Sequence, residues 1–284
     1  MNKITILINC KDLPGIIASV TNFIVAQNGN IVYIDQHVDR EQDIFFMRLE
    51  SEFTNSNFST ETFKETFKDT LCGKFKMKWR IYSSETKPKM ALFVSKYDHC
   101  LYDILSRYNS GELNLEIPFI ISNHEKLEYI AKGFNIPFYY IPVNKNNKAE
   151  AEDKQLELLE THNIDFIVLA RYMQIVSNKL ISKYPNKIIN IHHSFLPAFV
   201  GAKPYHSAYK RGVKIIGATS HYATEELDAG PIIEQDVTRI SHANSIEDLI
   251  AKGRDLEKIV LANAIKLHSN RKVMVFNNKT VIFS

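Results

Sequence analysis

The spacing of apolar positions changes character near residue 85. Before it, residues 3 to 9 form a short run rich in β-branched side chains, which predicts a strand. The loop Cys10-Lys11-Asp12-Leu13-Pro14-Gly15 follows. Ile16, Ile17, Val20, Phe23 and Ile24 then recur at helical spacing, with Gly29 placed to stop the helix. Residues 30 to 38 and 44 to 50 predict two strands joined across the polar turn Asp39-Arg40-Glu41-Gln42-Asp43. Phe63 and Phe67 lie one helical turn apart among charged residues, so 59 to 71 predicts an amphipathic helix, and 76 to 82 a closing strand. The order β-α-β-β-α-β predicts a ferredoxin-like sandwich, with two helices on one face of a four-stranded sheet.

The stretch Ser83 to Lys89 is polar and contains a proline, which marks a boundary. The expected division is a first domain at 1–83, a linker at 84–89 and a second domain at 90–284. Short apolar runs at 90 to 95, 116 to 122, 138 to 143, 166 to 170 and 187 to 191 predict strands. Stretches near 100 to 108, 125 to 133 and 148 to 161 predict the helices that separate the first four. Strands joined through helices predict an α/β domain with a doubly wound, mostly parallel sheet covered on both faces. Such sheets bind ligands beyond the carboxyl ends of their strands, where strand order reverses. Ser245-Ile246-Glu247-Asp248 resembles a capping box opening a long helix to about His268, and 273 to 283, around Asn277-Asn278, predicts a hairpin.

Composition narrows the class. With 284 residues, 45% hydrophobic and 24% charged, the chain suits two globular cores rather than a disordered polymer. A net charge of +3 is too small to call for nucleic acid. Cys10, Cys72 and Cys100 are odd in number and widely spaced, so they suggest free thiols in a reducing compartment. Met1 runs straight into a strand-like segment without a leader, and the apolar runs are too short to cross a bilayer. The cytoplasm is the expected location, with neither nucleic acid nor membrane as partner.

The chemistry gathers in two places. Asn190-Ile191-His192-His193-Ser194-Phe195-Leu196-Pro197 follows a predicted strand, and residues two apart in an extended chain share a face. An amide NH2 and an imidazole aimed at one point suit a carbonyl oxygen that becomes an oxyanion. In Leu227-Asp228-Ala229-Gly230-Pro231 the Gly-Pro pair forces a turn directly after Asp228. An aspartate beside a histidine holds an imidazolium and orients an attacking water. His99, His192, His193, His206 and His221 do not form a His-x-x-x-His or cysteine pattern, so no metal is expected.

These motifs resemble the folate-dependent formyltransferase fold: Ile189 through Phe199, with Leu227 through Pro231, carry the likeness. Val94-Ser95-Lys96 with His99-Cys100-Leu101, Pro204-Tyr205-His206 and Gly217-Ala218-Thr219 match it too. The first domain has the layout of an ACT domain. Together with the His-His-Ser-Phe variant, this narrows the resemblance to the formyltetrahydrofolate deformylase family, over nearly the whole chain. The resemblance implies that Asn190 and His192 bind the formyl oxygen, while Asp228 positions water and manages its proton. His221, seven residues before Asp228, would support that loop. Leu169 to Val176 matches the wall of the pteridine pocket: backbone of Gln174 and Val176 at the ring edge, Met173 and Ile175 packing on it. Gln174 departs from the family, where Arg is common, which puts any guanidinium role in doubt.

The ACT likeness further implies an amino-acid effector at Asp12 and Gly15 and a homo-oligomer. The implied reaction is hydrolysis of 10-formyltetrahydrofolate to formate and tetrahydrofolate, feeding purine biosynthesis, with folate as substrate and no separate cofactor. Two alternatives are a formyltransferase with an amine acceptor and a non-catalytic folate or amino-acid sensor. The family member acting on glycinamide ribonucleotide has a glycine-rich phosphate cradle after its first strand. Here Ser95-Lys96-Tyr97-Asp98-His99-Cys100 has no glycine and carries an acid. A reader of initiator tRNA would carry a basic surface and an appended domain. A sensor has no need for the set Asn190, His192 and Asp228. Water fits best as the acceptor.

Overall fold

The computed structural model describes residues 2–55, 58–198 and 204–284. They divide into two compact units. The first comprises Met1–Lys87 with Arg271–Met274 and Val281–Ser284, the second Pro88–Asn270 with Val275–Thr280. The chain passes from one to the other at Lys87/Pro88. The tail departs from the expected domain at 90–284, because polar and aromatic groups of the first unit hold its ends. Arg48 Nε donates to the carbonyl of Arg271 at 3.0 Å, and Tyr33 donates to the carbonyl of Ser284 at 2.6 Å. The Arg271 guanidinium lies 4.2 Å over the Tyr82 ring.

The first unit runs β1 (Asn2–Lys11), α1 (Ile16–Ala26), β2 (Gly29–Asp39), β3 (Ile44–Phe53) and α2 (Thr60–Phe67). A π-turn at Lys68–Cys72 leads into α3 (Gly73–Phe75) and then β4 (Lys78–Ser83). The sheet order β2-β3-β1-β4 is antiparallel throughout. Period-2 alternation turns Ile4, Ile6 and Ile8 to one face, where they meet Val20 and Ile24 of α1 and Phe63 and Phe67 of α2. Both helices therefore cover the same side, as the ferredoxin-like pattern requires. The stop of α1 is not Gly29. Asn28 takes the left-handed turn, at φ 58°, and Gly29 opens β2 because a Cβ there would lie 2.7 Å from the Phe53 ring.

The second unit runs β5 (Met90–Val94), α4 (His99–Asn109), β6 (Ile120–Ser122), α5 (Glu128–Gly133), β7 (Phe138–Tyr140), α6 (Lys148–Thr161) and β8 (Phe166–Ala170). It continues α7 (Asn178–Lys183), β9 (Ile188–His192), α8 (Pro204–Arg211), β10 (Ile215–Tyr222), β11 (Ile232–Arg239) and α9 (Ile246–Ser269). A hairpin of β12 (Val273–Phe276) and β13 (Lys279–Ile282) ends the chain. The large sheet has the order β11-β10-β9-β8-β5-β6-β7. Its first five strands in sequence pair in parallel, and β10 and β11 join as antiparallel strands. Every residue of β5 and β8 is buried, which is why both read as unbroken apolar runs. From β5 the chain builds outward through β6 to β7, then returns to the other side of β5 with β8, so the order reverses between β5 and β8. The strand expected at 116 to 122 is shorter, with Glu116 making only an isolated bridge to Lys89. Helix α9 opens on the expected capping box, Ser245 with Asp248.

Candidate active site

The site begins with β9. Its last residues, Asn190 and His192, lie opposite His221 and Thr219 of β10 in an antiparallel register. Placing Asn190 against His221 brings the Asn190 amide Nδ2 within 3.2 Å of His221 Nε2, to which it donates. His221 Nδ1 lies 3.0 Å from the carbonyl oxygen of Tyr222, an acceptor that fixes the proton on Nδ1 and leaves Nε2 to receive the amide.

After β10 the chain turns through a loop and re-enters the sheet at β11. Asp228 stands on that loop with φ 57°, a conformation aspartate tolerates better than most side chains. Two residues on, Gly230 packs so closely that a Cβ would fall 1.8 Å from the Tyr222 carbonyl oxygen. The tight Gly-Pro turn thus aims the carboxylate back at the end of β9. Asp228 Oδ2 lies 3.2 Å from His192 Nδ1, and Oδ1 lies 3.6 Å from His221 Nε2. Burial works to raise the carboxyl's pKa, but the hydrogen bond from His192 and the nearness of both imidazoles outweigh it. The net result holds Asp228 well below the ordinary carboxylate range.

Asn190, His192, His221 and Asp228 are therefore one cluster, although 38 residues separate its ends. With Nδ1 engaged by Asp228, the other ring nitrogen of His192, Nε2, is buried and has no hydrogen-bond partner among the described residues. A buried ring nitrogen left unpaired is costly, so it marks where an absent polar group belongs.

The stretch after His192 is held by Thr219, given in the sequence only as part of a matching motif, and by Gln235, which the sequence did not single out. Leu196 N–H donates to Thr219 Oγ1 at 3.0 Å, and Thr219 Oγ1 donates to the Ser194 carbonyl at 2.9 Å. Gln235 Nε2 donates to both Thr219 Oγ1 and the Leu196 carbonyl. Phe199, part of the same motif, lies outside the described residues.

At the end of β8 the chain continues as Arg171 to Val176. Met173 is 51% exposed and Ile175 61%, while Gln174 and Val176 are half-buried and Val176 packs on the core. Alternation along this extended piece thus shows two large apolar side chains to solvent. The Gln174 amide is committed to the Tyr172 carbonyl at 2.8 Å, and Ser95 Oγ accepts from Met173 N–H at 3.0 Å. In the first unit, Asp12 and Gly15 line one concavity with Ile16, Gln36, Val38 and Phe45.

A second polar cluster went unread in the sequence. Glu257, on the buried stripe of α9, accepts from His99 Nε2 at 2.8 Å and from Tyr205 at 2.7 Å, and Arg171 Nε stands 3.5 Å away. Its signal was an acid among the apolar positions Leu249, Leu256, Val260 and Leu261. His99, Cys100 and Glu257 lie close enough together to suggest metal ligation. Both carboxylate oxygens are already used, however, and the neighbouring guanidinium opposes a cation.

The second unit, with a sheet of this order, belongs to the formyl transferase class. The formyl transferase family model matches residues 88–265, and the ACT domain model matches residues 4–61. A formyltetrahydrofolate deformylase of Synechocystis sp. is 50% identical over 99% of this chain and 98% of its own. One of Bacillus subtilis is 45% identical over 100% and 94%. The crystal structure of a formyltetrahydrofolate deformylase from Pseudomonas syringae pv. tomato matches with a TM-score of 0.97 at 46% identity, covering 100% of this chain and 95% of that one. The chain belongs to the formyltetrahydrofolate deformylase family.

Proposed function

We propose that the chain hydrolyses 10-formyltetrahydrofolate to formate and tetrahydrofolate, with Asn190, His192 and Asp228 as the catalytic residues. The observation that carries this reading is the convergence of Asn190 Nδ2, the unpartnered His192 Nε2 and the Asp228 carboxylate at the end of β9. The formyl oxygen sits between the Asn190 amide and His192 Nε2, two donors aimed where charge develops. Water accepted by Asp228 adds to the formyl carbon. A carboxylate held this low is a weak base at rest, so it takes the proton only as the new C–O bond forms and the water becomes acidic. The tetrahedral intermediate collapses, the C–N10 bond breaks, and N10 receives that proton. Formic acid leaves, losing its remaining proton to solvent as formate, and tetrahydrofolate remains. No electron changes hands, so no redox cofactor is called for.

His221 supports the site by fixing the Asn190 amide. Met173 and Ile175 are the apolar wall for the pteridine, with backbone of Gln174 and Val176 at its edge. Water as acceptor is supported by the start of α4, where Asp98 stands at the N-cap position and the segment Ser95 to Cys100 has no glycine. A carboxylate there repels a phosphorylated amine. The ACT unit takes an amino-acid effector at Asp12 and Gly15, and the chain works as a cytoplasmic homo-oligomer that releases formate for purine biosynthesis. No nucleic acid or membrane takes part. Among the described residues no helix is long and apolar enough to cross a membrane. The test is formate release from 10-formyltetrahydrofolate by purified protein with no amine added. Turnover that appears only with an amine present, as formyl-amine product, would overturn the reading.

A further inference from the structure

The hairpin that ends the chain reaches the loop bearing Asp228. Asn278, in the turn between β12 and β13, donates from Nδ2 to the carbonyl oxygen of Ala229 at 2.8 Å. Two residues further, Thr280 Oγ1 donates to the carbonyl oxygen of Ile232, the first residue of β11, at 2.6 Å. All of these residues lie within the second unit.

The grip falls where the loop has least support of its own. Register between β10 and β11 is broken at Ser220/His221, so regular pairing ends before the loop begins. On the far side, Tyr222 N–H binds the Pro231 carbonyl at 2.9 Å, which closes the loop at its base. Inside it, the Ala229 N–H reaches the Glu226 carbonyl only at 3.4 Å. Asp228 meanwhile holds a left-handed backbone that an aspartate adopts at some cost. The Ala229–Gly230 peptide, one peptide beyond Asp228, is thus fixed by an amide from a segment 49 residues away in sequence.

We propose that Asn278 is a positioning residue for hydrolysis: its hydrogen bond to Ala229 sets the angle at which Asp228 meets His192 and the attacking water. The inference rests on the catalytic reading of Asp228 given above. Asn278 touches neither substrate nor water, so losing it loosens the geometry of the chemical step and spares folate binding. Misplacement of a reacting group by a fraction of an ångström is felt in kcat, whereas one exposed hydrogen bond contributes little to global stability.

The experiment compares Asn278→Ala and Asn278→Asp with the parent and with Asp228→Asn, all as full-length protein. The aspartate variant keeps the side chain's shape and turns the donor into an acceptor, so it separates loss of the hydrogen bond from loss of the hairpin turn. Formate release gives kcat and KM, tetrahydrofolate binding gives affinity, and thermal melting reports the fold. Expected for both Asn278 variants is a fall in kcat of about tenfold, with KM and tetrahydrofolate affinity within about twofold and melting little changed. Parent-like kcat in both, alongside an inactive Asp228→Asn, would overturn the inference and leave Asp228 its role. A loss of kcat matched by equal losses of folate affinity and melting temperature would overturn it as well, since that is general unfolding. An active Asp228→Asn would remove the catalytic reading and the inference with it.

Discussion

Asp228→Asn isolates charge from shape. Asparagine is nearly isosteric with aspartate and enters the left-handed region as readily, so the backbone at φ 57° is retained. What disappears is the negative charge lying 3.2 Å from His192 Nδ1 and 3.6 Å from His221 Nε2. Without it His192 Nδ1 loses the carboxylate that orients the ring toward the formyl oxygen, and the loss of an oxyanion contact costs ~2.7–4 kcal/mol in the transition state. The water also loses its proton acceptor, which contributes ~10²–10⁴ in rate. Both losses act on one transition state, so they do not multiply. The expected fall in kcat is about a thousandfold, with tetrahydrofolate affinity within about threefold. Formate is followed by coupled oxidation with formate dehydrogenase, and affinity by fluorescence quenching. A variant that keeps kcat within tenfold of the parent refutes the argument, because no arrangement that depends on the carboxylate survives it.

Two further outcomes follow from packing and charge. Gly230→Ala places a Cβ 1.8 Å from the Tyr222 carbonyl oxygen, so the loop must shift and carry Asp228 with it. Formate release falls by about a hundredfold, and unchanged activity would show that the turn has room to spare. Glu257→Gln breaks a buried network and costs about 3–5 kcal/mol at pH 7, read from urea denaturation. Burial raises the Glu257 pKa, but His99, Arg171 and Tyr205 together pull it below the ordinary value. Its stabilisation is therefore complete above the unfolded-state value of about 4.3 and lost as pH falls through the lower folded value. The gap between parent and variant stays constant from pH 7 to about 5 and narrows in more acid solution. A gap that widens on acidification contradicts the network.

The ferredoxin-like unit was legible because its strands alternate and its helices carry one apolar face, as Ile4, Ile6 and Ile8 against Phe63 and Phe67 show. The parallel core was legible for the opposite reason, since β5 and β8 are buried on both sides and read as unbroken runs. Strands β10 and β11 were not recognised as strands. Ile215–Tyr222 buries Thr219, Ser220 and His221 beside its apolar residues, and such polar burial follows from the site rather than from any period. The short helices α7 and α8 carry too few turns to set up a helical pattern. In the site, the pairing of Asn190 with His192 came from their position at a strand's end. The meeting with Asp228 depends on an antiparallel register and a turn 38 residues on, which local pattern does not encode. The place of the final hairpin was hidden likewise, because its β-rich sequence says nothing of what its two ends touch.

That hairpin has a consequence for biosynthesis. Residues 271–274 and 281–284 complete the unit whose other members are Met1–Lys87. On the ribosome, the intervening residues 88 to 270 are made first, which takes about 10–40 s at ordinary elongation rates. The unit that holds Met1–Lys87 is completed only after that interruption, and Tyr33 and Arg48 wait through the interval for the backbone that caps them.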